Sequence, residues 1–421
     1  MNQSKIIIIC LIILVLISLT SQINDYELLV EWGKNNSLTI SDKLQMKYSS
    51  ENNKTFYAKE KILKDETLLI IPNSMSLNIK NAIKLYGKKA QKLYKEFKLN
   101  CKNLKNDFMC EQAFISYLMY KVNKNNKTKS NNLYKYFQYL FNTFESNLDS
   151  FPLFYNMEQR YLIQFTSLAY SINFIKKLYQ GEIDIFENKL NLKEINKDEY
   201  YVFRTYASRK SYNISGHSVI VPFIDMFNKH PTDYNLRVVA SENETRILAT
   251  RDILPFEILF VKYDYLTNQN ALSLFGITFP EIINKVNSLH VPVLNPLLLK
   301  NHEIDANKDS SFNKYFREFM DIAKDKFYIK FIEKYKQILN ELDEDNSELS
   351  ALKLILENLE TLVKLNSSIN SSHIHKVFLL QKDIDNILRI FSGEIKFLNE
   401  KIKQMKEIIN KYVNNKNIND L

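Results

Sequence analysis

The chain has 421 residues, 45% of them hydrophobic and 13% aromatic, enough for a sizeable core and for more than one domain. Its 57 basic and 48 acidic side chains leave a formal charge of +9, yet arginine is scarce and the lysines are spread over every segment, so the basic stripe of a nucleic-acid binder is missing. Gly33, Gly87, Gly181, Gly216, Gly276 and Gly393 are the only glycines; they stand too far apart for a phosphate cradle, a dinucleotide fingerprint or a Gly-x-Ser-x-Gly elbow, and no His-Glu-x-x-His run is present to hold a catalytic zinc.

Residues 1–22 read as a secretory signal: Lys5 precedes the apolar run Ile6 to Leu19, and Thr20, Ser21 and Gln22 follow. The run is shorter than the roughly 20 residues a membrane span needs, which favours cleavage near Ser21 over an uncleaved signal anchor. Cys10 lies inside this segment. Cys101 and Cys110 remain as an even pair suited to an oxidising compartment, and they either close a short loop or pack as two separate thiols. Sequons at Asn35, Asn53, Asn126, Asn213, Asn243, Asn366 and Asn370 agree with export, weakly in a chain so rich in asparagine.

Residues 25–35 place Leu28, Leu29, Val30 and Trp32 on a short amphipathic helix ending at Gly33. Residues 43–48 and 56–61 read as short strands, and 66–72 (ETLLIIP) as a buried one. From Ile79 to about Leu190 the spacing becomes helical, as in Phe108, Ala113, Phe114, Tyr117, Leu118 and Tyr120, so this block is an all-helical insert. Within it, residues 123–132 are too polar to be anything but a solvated turn. Strands return at 216–225 (GHSVIVPFID), in a hairpin of 236–241 and 245–249, and at 257–263 (EILFVKY). Beyond about Asn301 helical spacing covers 312–342, 347–365 and 375–412. The order predicts an α+β chain: a split sheet, a helical insert and a separate helical tail.

Two segments stand apart from ordinary packing, Val221 to His230 (VPFIDMFNKH) and Glu257 to Gly276 (EILFVKYDYLTNQNALSLFG). Together they resemble the two signature regions of SET-domain methyltransferases, in particular the class with a helical insert and a helical C-terminal domain found in Rubisco large-subunit and actin-histidine methyltransferases. The resemblance extends along nearly the whole chain after the signal. Residues 71–77 (IPNSMSL) look like the family's N-terminal edge, 132–140 (NLYKYFQYL) and 152–155 (PLFY) like passages of its insert, and 201–209 like its Ser-Arg helix. It implies a SET-domain β-fold from residues 23–78 and 216–290, a helical insert at 79–215 and an all-helical substrate-binding domain at 301–421.

The same resemblance implies that Tyr263 is the catalytic tyrosine, because the family's Asn and Gly that follow that tyrosine find their counterparts in Asn268 and Gly276. Asn228, from the Asp-Met-x-Asn-His turn, would hold S-adenosyl-L-methionine, with Lys229 in the place of the motif's His and Arg209 at the Ser-Arg position lining the donor site. Taken singly, Tyr263 is a packing tyrosine, Asn228 a turn former and Arg209 a solvated helix charge; only their combination carries the reading. The implied reaction is N-methylation of a protein substrate, lysine favoured over histidine, by a monomer that needs no metal or nucleic acid and meets a membrane only through an uncleaved signal. In-line displacement at a sulfonium requires alignment and acceptors that tolerate positive charge, which these residue types supply. The alternative is a catalytically inactive SET-fold protein serving as a binding module in the secretory pathway. Toward it weigh residues 53–58 (NKTFYA), where the family's Gly-x-Gly-x-(Arg/Lys)-Ala has both glycines and this chain has neither, and the displaced His230 and Ile277 of the other motifs.

Overall fold

Branched apolar side chains make Thr67–Pro72 (TLLIIP) a strand with Leu68, Leu69 and Ile71 sealed from solvent. This computed structural model describes residues 27, 29–48, 54–101, 106–124, 148–192, 194–262, 268–276, 278, 288–294, 316–323, 327–341, 347–369, 371–378 and 381–419. The 1–22 signal and most of 123–132 lie outside them. Among the described residues no helix is long and apolar enough to cross a membrane.

The strands are β1 (Thr39–Ile40), β2 (Leu44–Tyr48), β3 (Lys54–Ala58), β4 (Thr67–Pro72), β5 (Ser211–Ile214), β6 (His217–Ile220), β7 (Asn228–His230), β8 (Leu236–Ala240), β9 (Glu244–Ala249), β10 (Phe260–Lys262), β11 (Ser288–Leu294) and β12 (Phe316–Ala323). Among the described residues, after a helical stretch at 29–35, the α-helices are α1 (Ile79–Cys101), α2 (Asp107–Lys124), α3 (Met157–Leu162), α4 (Ser167–Asp184), α5 (Lys197–Lys210), α6 (Asn268–Phe275), α7 (Phe327–Glu341), α8 (Glu348–Ser368), α9 (Ser371–Val377) and α10 (Gln381–Asn419). They divide into two compact units, residues 1–147 with 179–264, and residues 148–178 with 265–421.

In the first unit a mixed sheet runs in the order β1-β4-β9-β8-β10-β7. Its β1, β4, β9 and β8 pairings are antiparallel, whereas β10 runs parallel to both β8 and β7. The β8–β9 hairpin turns where the sequence places it, with Ser241 N donating to Glu244 O at 2.8 Å, and alternate β9 residues Thr245, Ile247 and Ala249 are fully buried. Two-stranded pairs fall between its strands in sequence, β2–β3 between β1 and β4 and β5–β6 between β4 and β7.

Two turns of the same build join at an Ile62–Ile253 bridge. In each, a positive-φ residue, Asp65 (φ 63°) or Phe256 (φ 66°), precedes a glutamate whose carboxylate accepts from the backbone three residues back. Glu66 accepts from Leu63 N at 2.9 Å and Glu257 from Leu254 N at 3.0 Å.

Two strand expectations shift. The run 216–225 stays a strand only to Ile220, since Pro222 has no donor and Phe223 turns left-handed (φ 67°) into a 3-10 turn at Ile224–Met226. Of the described part of 257–263, residues 257–262, Phe260–Lys262 joins the main sheet, because residues 256–259 are occupied by β3.

The insert's aromatic stripe is core: Phe97 and Tyr117 stack on Phe186 with centroids 4.4 and 4.3 Å apart. Cys101 at the end of α1 and Cys110 in α2 form a disulfide, Cα atoms 5.9 Å apart and both residues fully buried. Of the two arrangements open at the sequence level, the loop-closing one is adopted. Helix α5 begins as its composition dictates: the Asn196 side chain accepts from Glu199 N, acidic residues fill the first turn and Arg209 and Lys210 the last.

In the second unit, Tyr335 and Ile338 of α7, Leu352, Ile355 and Leu359 of α8, and Leu398 and Met405 of α10 make one core. The tail is not all-helical, as 312–342 had suggested. Residues 316–323 (FREFMDIA) form β12, paired antiparallel with β11, and helix resumes only at Phe327. The segment's Phe316, Phe319, Met320 spacing suits a helix, but residues 288–294 (SLHVPVL) offer a β-branched partner strand, and tertiary pairing overrides local periodicity.

Candidate functional site

Three sequence-distant pieces of the first unit meet. Strand β7 lies parallel to β10 with Asn228 opposite Phe260, Lys229 opposite Val261 and His230 opposite Lys262. The residue after Lys262 is Tyr263, which lies outside the described residues, so its side chain is not placed. Strand β3 lies against the segment entering β10: Leu259 N donates to Phe56 O at 2.9 Å and Ala58 N to Glu257 O at 3.0 Å.

Side chains lock β3 to the Asn228 segment at two consecutive positions. Phe56 stacks on Phe227, centroids 4.6 Å apart, and one residue along, Asn228 Nδ2 donates to Thr55 Oγ1 at 3.2 Å. Thr55 is buried and Asn228 half-buried. The Oδ1 of Asn228 has no hydrogen-bond partner among the described residues.

The entry to this segment is held by packing. Phe223 sits at φ 67°, a conformation that costs a bulky L-residue about 1–2 kcal/mol. Its ring is buried and stacked near Trp32, centroids 6.4 Å apart at 16°, and burying a phenylalanine ring gains about 1.5–3 kcal/mol, which offsets the strain. Gly33 permits the approach, since a Cβ there would come within 2.4 Å of Leu38 Cδ2 and 3.0 Å of Phe223 Cζ.

Arg209 and Lys229 come together through the backbone. Lys229 Nζ donates to Arg209 O at 3.1 Å and lies 4.9 Å from the centroid of the Tyr212 ring, so it satisfies a carbonyl at the end of α5 that the helix leaves open. Helix α5 is itself anchored in the core. Its Arg204 is 1% exposed and its Nε donates to both oxygens of the fully buried Glu182 at 3.1 and 3.0 Å. Glu182 also accepts from Tyr200 OH at 2.7 Å, while Arg204 Nη1 donates to Gln112 Oε1 at 3.3 Å. Burial alone would lower the Arg204 pKa, but the Glu182 charge and bonds raise it above its ordinary value, so the pair is an ion pair. Burial and the same carboxylate push the Tyr200 hydroxyl far up, which keeps it a donor.

The remaining motif residues have local roles. His230 Nδ1 accepts from Asp233 N at 2.8 Å, a turn contact that leaves Lys229 alone at the motif's histidine position. Asn268 opens α6 and is buried. Gly276 adopts φ 67° after that helix, where a Cβ would lie 3.3 Å from Ser150 O, which explains the glycine by close approach. Both belong to the second unit.

The structure thus joins Asn228, Lys229 and Arg209 in one region beside β3. Two of its contacts have no signature in the sequence, the Thr55 hydroxyl on Asn228 and the Tyr212 ring under Lys229. Thr55 reads there only as a missing glycine. Whether these residues suit S-adenosylmethionine can be judged from Asn228: the residue is half-buried and its Oδ1 has no partner among the described residues, and an amide oxygen is an acceptor for a ligand ammonium or N–H, so the donor fits the chemistry on this side. On the β3 side the Thr55 side chain takes the room a glycine would leave, while its oxygen turns inward to Asn228.

No protein-family model matches the sequence, and no curated protein matches it. Among solved structures, the SET domain of LSMT bound to lysine and AdoHcy matches with a TM-score of 0.61 and 11% identity, over 92% of this chain and 93% of that one. Rubisco LSMT bound to AdoMet matches with the same TM-score, identity and coverage. Rubisco LSMT bound to sinefungin and monomethyllysine gives 0.59 and 11%, over 91% and 92%. With its α+β order, its β7–β10 pairing and this likeness along almost its entire length, the chain has the SET fold of the Rubisco LSMT structures.

Proposed function

We propose that this chain is a SET-class protein N-methyltransferase that uses S-adenosyl-L-methionine, with lysine favoured as acceptor, and that it works in the secretory pathway. The observation that carries the reading is the half-buried Asn228, its Oδ1 without a partner among the described residues, on a strand held in parallel register with the one that leads to Tyr263. The solved structures of like fold hold AdoMet, AdoHcy or sinefungin, and two hold lysine or methyllysine beside AdoHcy. When bound, the donor supplies an electrophilic methyl on a sulfonium. Asn228 accepts from the donor's polar end, Arg209 and Lys229 close the α5 end of the site, and Tyr263 orients the acceptor amine, which must lose its proton to attack. The buried Cys101–Cys110 disulfide and the exposed sequon positions Asn35, Asn213 and Asn243 support an oxidising, exported setting.

Calorimetry of the purified protein with S-adenosylhomocysteine tests the donor assignment. Binding is expected, and no heat at millimolar ligand would end the enzymatic reading. Given binding, Tyr263→Phe should lower turnover while leaving donor affinity near wild type; equal turnover removes Tyr263 from the reaction. A second reading, a non-catalytic SET-fold binding module, is favoured by the Thr55 side chain at the second glycine position, and the same titration decides between the two.

A further inference from the structure

We propose that Asn213, near the tip of the β5–β6 hairpin, is an N-glycosylation site that takes an oligosaccharide from a lipid pyrophosphate carrier, while the Asn366 sequon stays bare. It rests on the exported setting proposed above and goes beyond it to one side chain. Asn35, Asn213 and Asn243 are all exposed, and among them Asn213 has its amide oriented by the backbone. Gly216 N donates to Asn213 Oδ1 at 3.0 Å. A backbone N–H bonds only the oxygen end of an amide, so Nδ2, the atom that carries a glycan, is the end left over, and it bonds no other described residue. Ser215, which completes the sequon, is exposed as well. Transfer joins Nδ2 to C1 of the first sugar and breaks the bond from C1 to the pyrophosphate oxygen. The pyrophosphate leaves with the electron pair, and one amide proton is released. The product keeps Oδ1, and with it the bond to Gly216.

The hairpin can bear a bulky group. Ser215 (φ 53°) and Gly216 (φ 84°) form the two-residue loop between the paired Ile214 and His217, both left-handed as a type I′ turn requires. The hairpin is held elsewhere: buried Glu111 of α2 accepts from Ser218 N at 2.8 Å and bonds His217 Nδ1 at 2.8 Å. Strand alternation sends Asn213 to the face opposite Tyr212, whose ring lies under Lys229, so a glycan projects away from that contact. Asn366 is the contrary case. It is 1% exposed on the core face of α8, and both of its amide atoms are shut off from solvent. Sugar is attached before the chain folds, so a molecule modified there must expel Asn366 together with the core residues Leu362 and Leu365 beside it. Molecules that fold therefore carry no glycan at that position.

The test uses the full chain in a eukaryotic secretory host, in one version with its own N-terminus and in a second with residues 1–22 replaced by a leader of known function there. The soluble folded product is treated with peptide N-glycosidase in heavy-oxygen water, which turns each glycosylated asparagine into a labelled aspartate, and its peptides are read by mass spectrometry. Label is expected at residue 213 and not at residue 366. Ser215→Asn destroys the sequon but suits a left-handed position; it should lose that label and the mass of one glycan while keeping the wild-type urea midpoint read from Trp32. Label at 213 with the supplied leader alone upholds the glycan site and ends the exported setting. No label at 213 in product exported by the supplied leader overturns the inference, as does label at residue 366 in folded protein.

Discussion

Replacing Glu182 by glutamine strikes the support beneath the α5 end of the site. Glu182 is fully buried; its two oxygens share the Nε–H of Arg204, and it also accepts from Tyr200 OH. Arg204 is 1% exposed and stacks 4.9 Å from the centroid of Tyr179. The Glu182→Gln amide would keep the volume but leave the guanidinium, which stays protonated in proteins, buried without the carboxylate that balances it. Breaking a buried pair in this way costs about 3–5 kcal/mol. Trp32 is the chain's single tryptophan and is buried in the first unit, so its emission during urea unfolding reports that unit without the helical tail. With a slope of about 2–3 kcal/mol/M, the Trp32 midpoint should fall by about 1–2 M. Glu182→Met with Arg204→Met removes both charges, and apolar replacement of a whole buried pair is often close to neutral, so the double variant should regain most of the loss. A single-variant shift below about 0.3 M, roughly the value of one exposed contact, or a double variant worse than the single, would refute the view that this ion pair anchors α5.

The disulfide and the paired turns yield two further expectations. Cys101→Ser with Cys110→Ser frees a loop with a sequence separation of 9, for which chain entropy gives a loss of about 2.5–3 kcal/mol, read as a lower Trp32 midpoint; two reactive thiols at these positions in the natively isolated protein would contradict the bonded pair. Glu66 is held below the ordinary glutamate value by its bonds to Lys43 and Leu63 N; for Glu257, burial works upward but the bonds from Arg251, Leu254 N and Asn235 prevail and lower it. Because both folded values are depressed, the stability they add is complete above the ordinary glutamate value, about 4.3, and is lost as pH falls through the lower folded values. The first unit's urea midpoint should therefore be level near neutrality and drop in acid, and Glu66→Gln with Glu257→Gln should flatten that drop; an unchanged acid slope in the double variant would show that the two turns do not contribute.

How much of this was legible in the sequence depends on which force sets each part. The β8–β9 hairpin, β4 and the insert's aromatic core follow from period and branching, because burial of one face decides them. The β11–β12 ribbon was hidden, since residues 316–323 carry a helical spacing and only a partner strand at 288–294 makes them extended. The ends of the strands at 216–220 and 260–262 were also hidden, the first by the left-handed Phe223 and the second by competition from β3 for residues 256–259.

The site divides the same way. Its scaffold uses backbone hydrogen bonds, which are blind to side-chain identity, so β3 can lie on the approach to β10 and bring residue 55 to residue 228 whether or not the glycines are there. The sequence accordingly matches no family model, at 11% identity to an LSMT structure whose fold it shares along 92% of the chain. Losing a glycine from a cofactor loop is then not by itself the loss of a site: at position 55 the replacement carries a hydroxyl, and that hydroxyl bonds Asn228. The consequence is directional. A Thr55→Gly change, which restores the family's residue, should widen the β3 side and release Asn228 together, so it ought to weaken the binding of S-adenosylhomocysteine here rather than improve it; tighter binding by the glycine variant would mean that the threonine only obstructs.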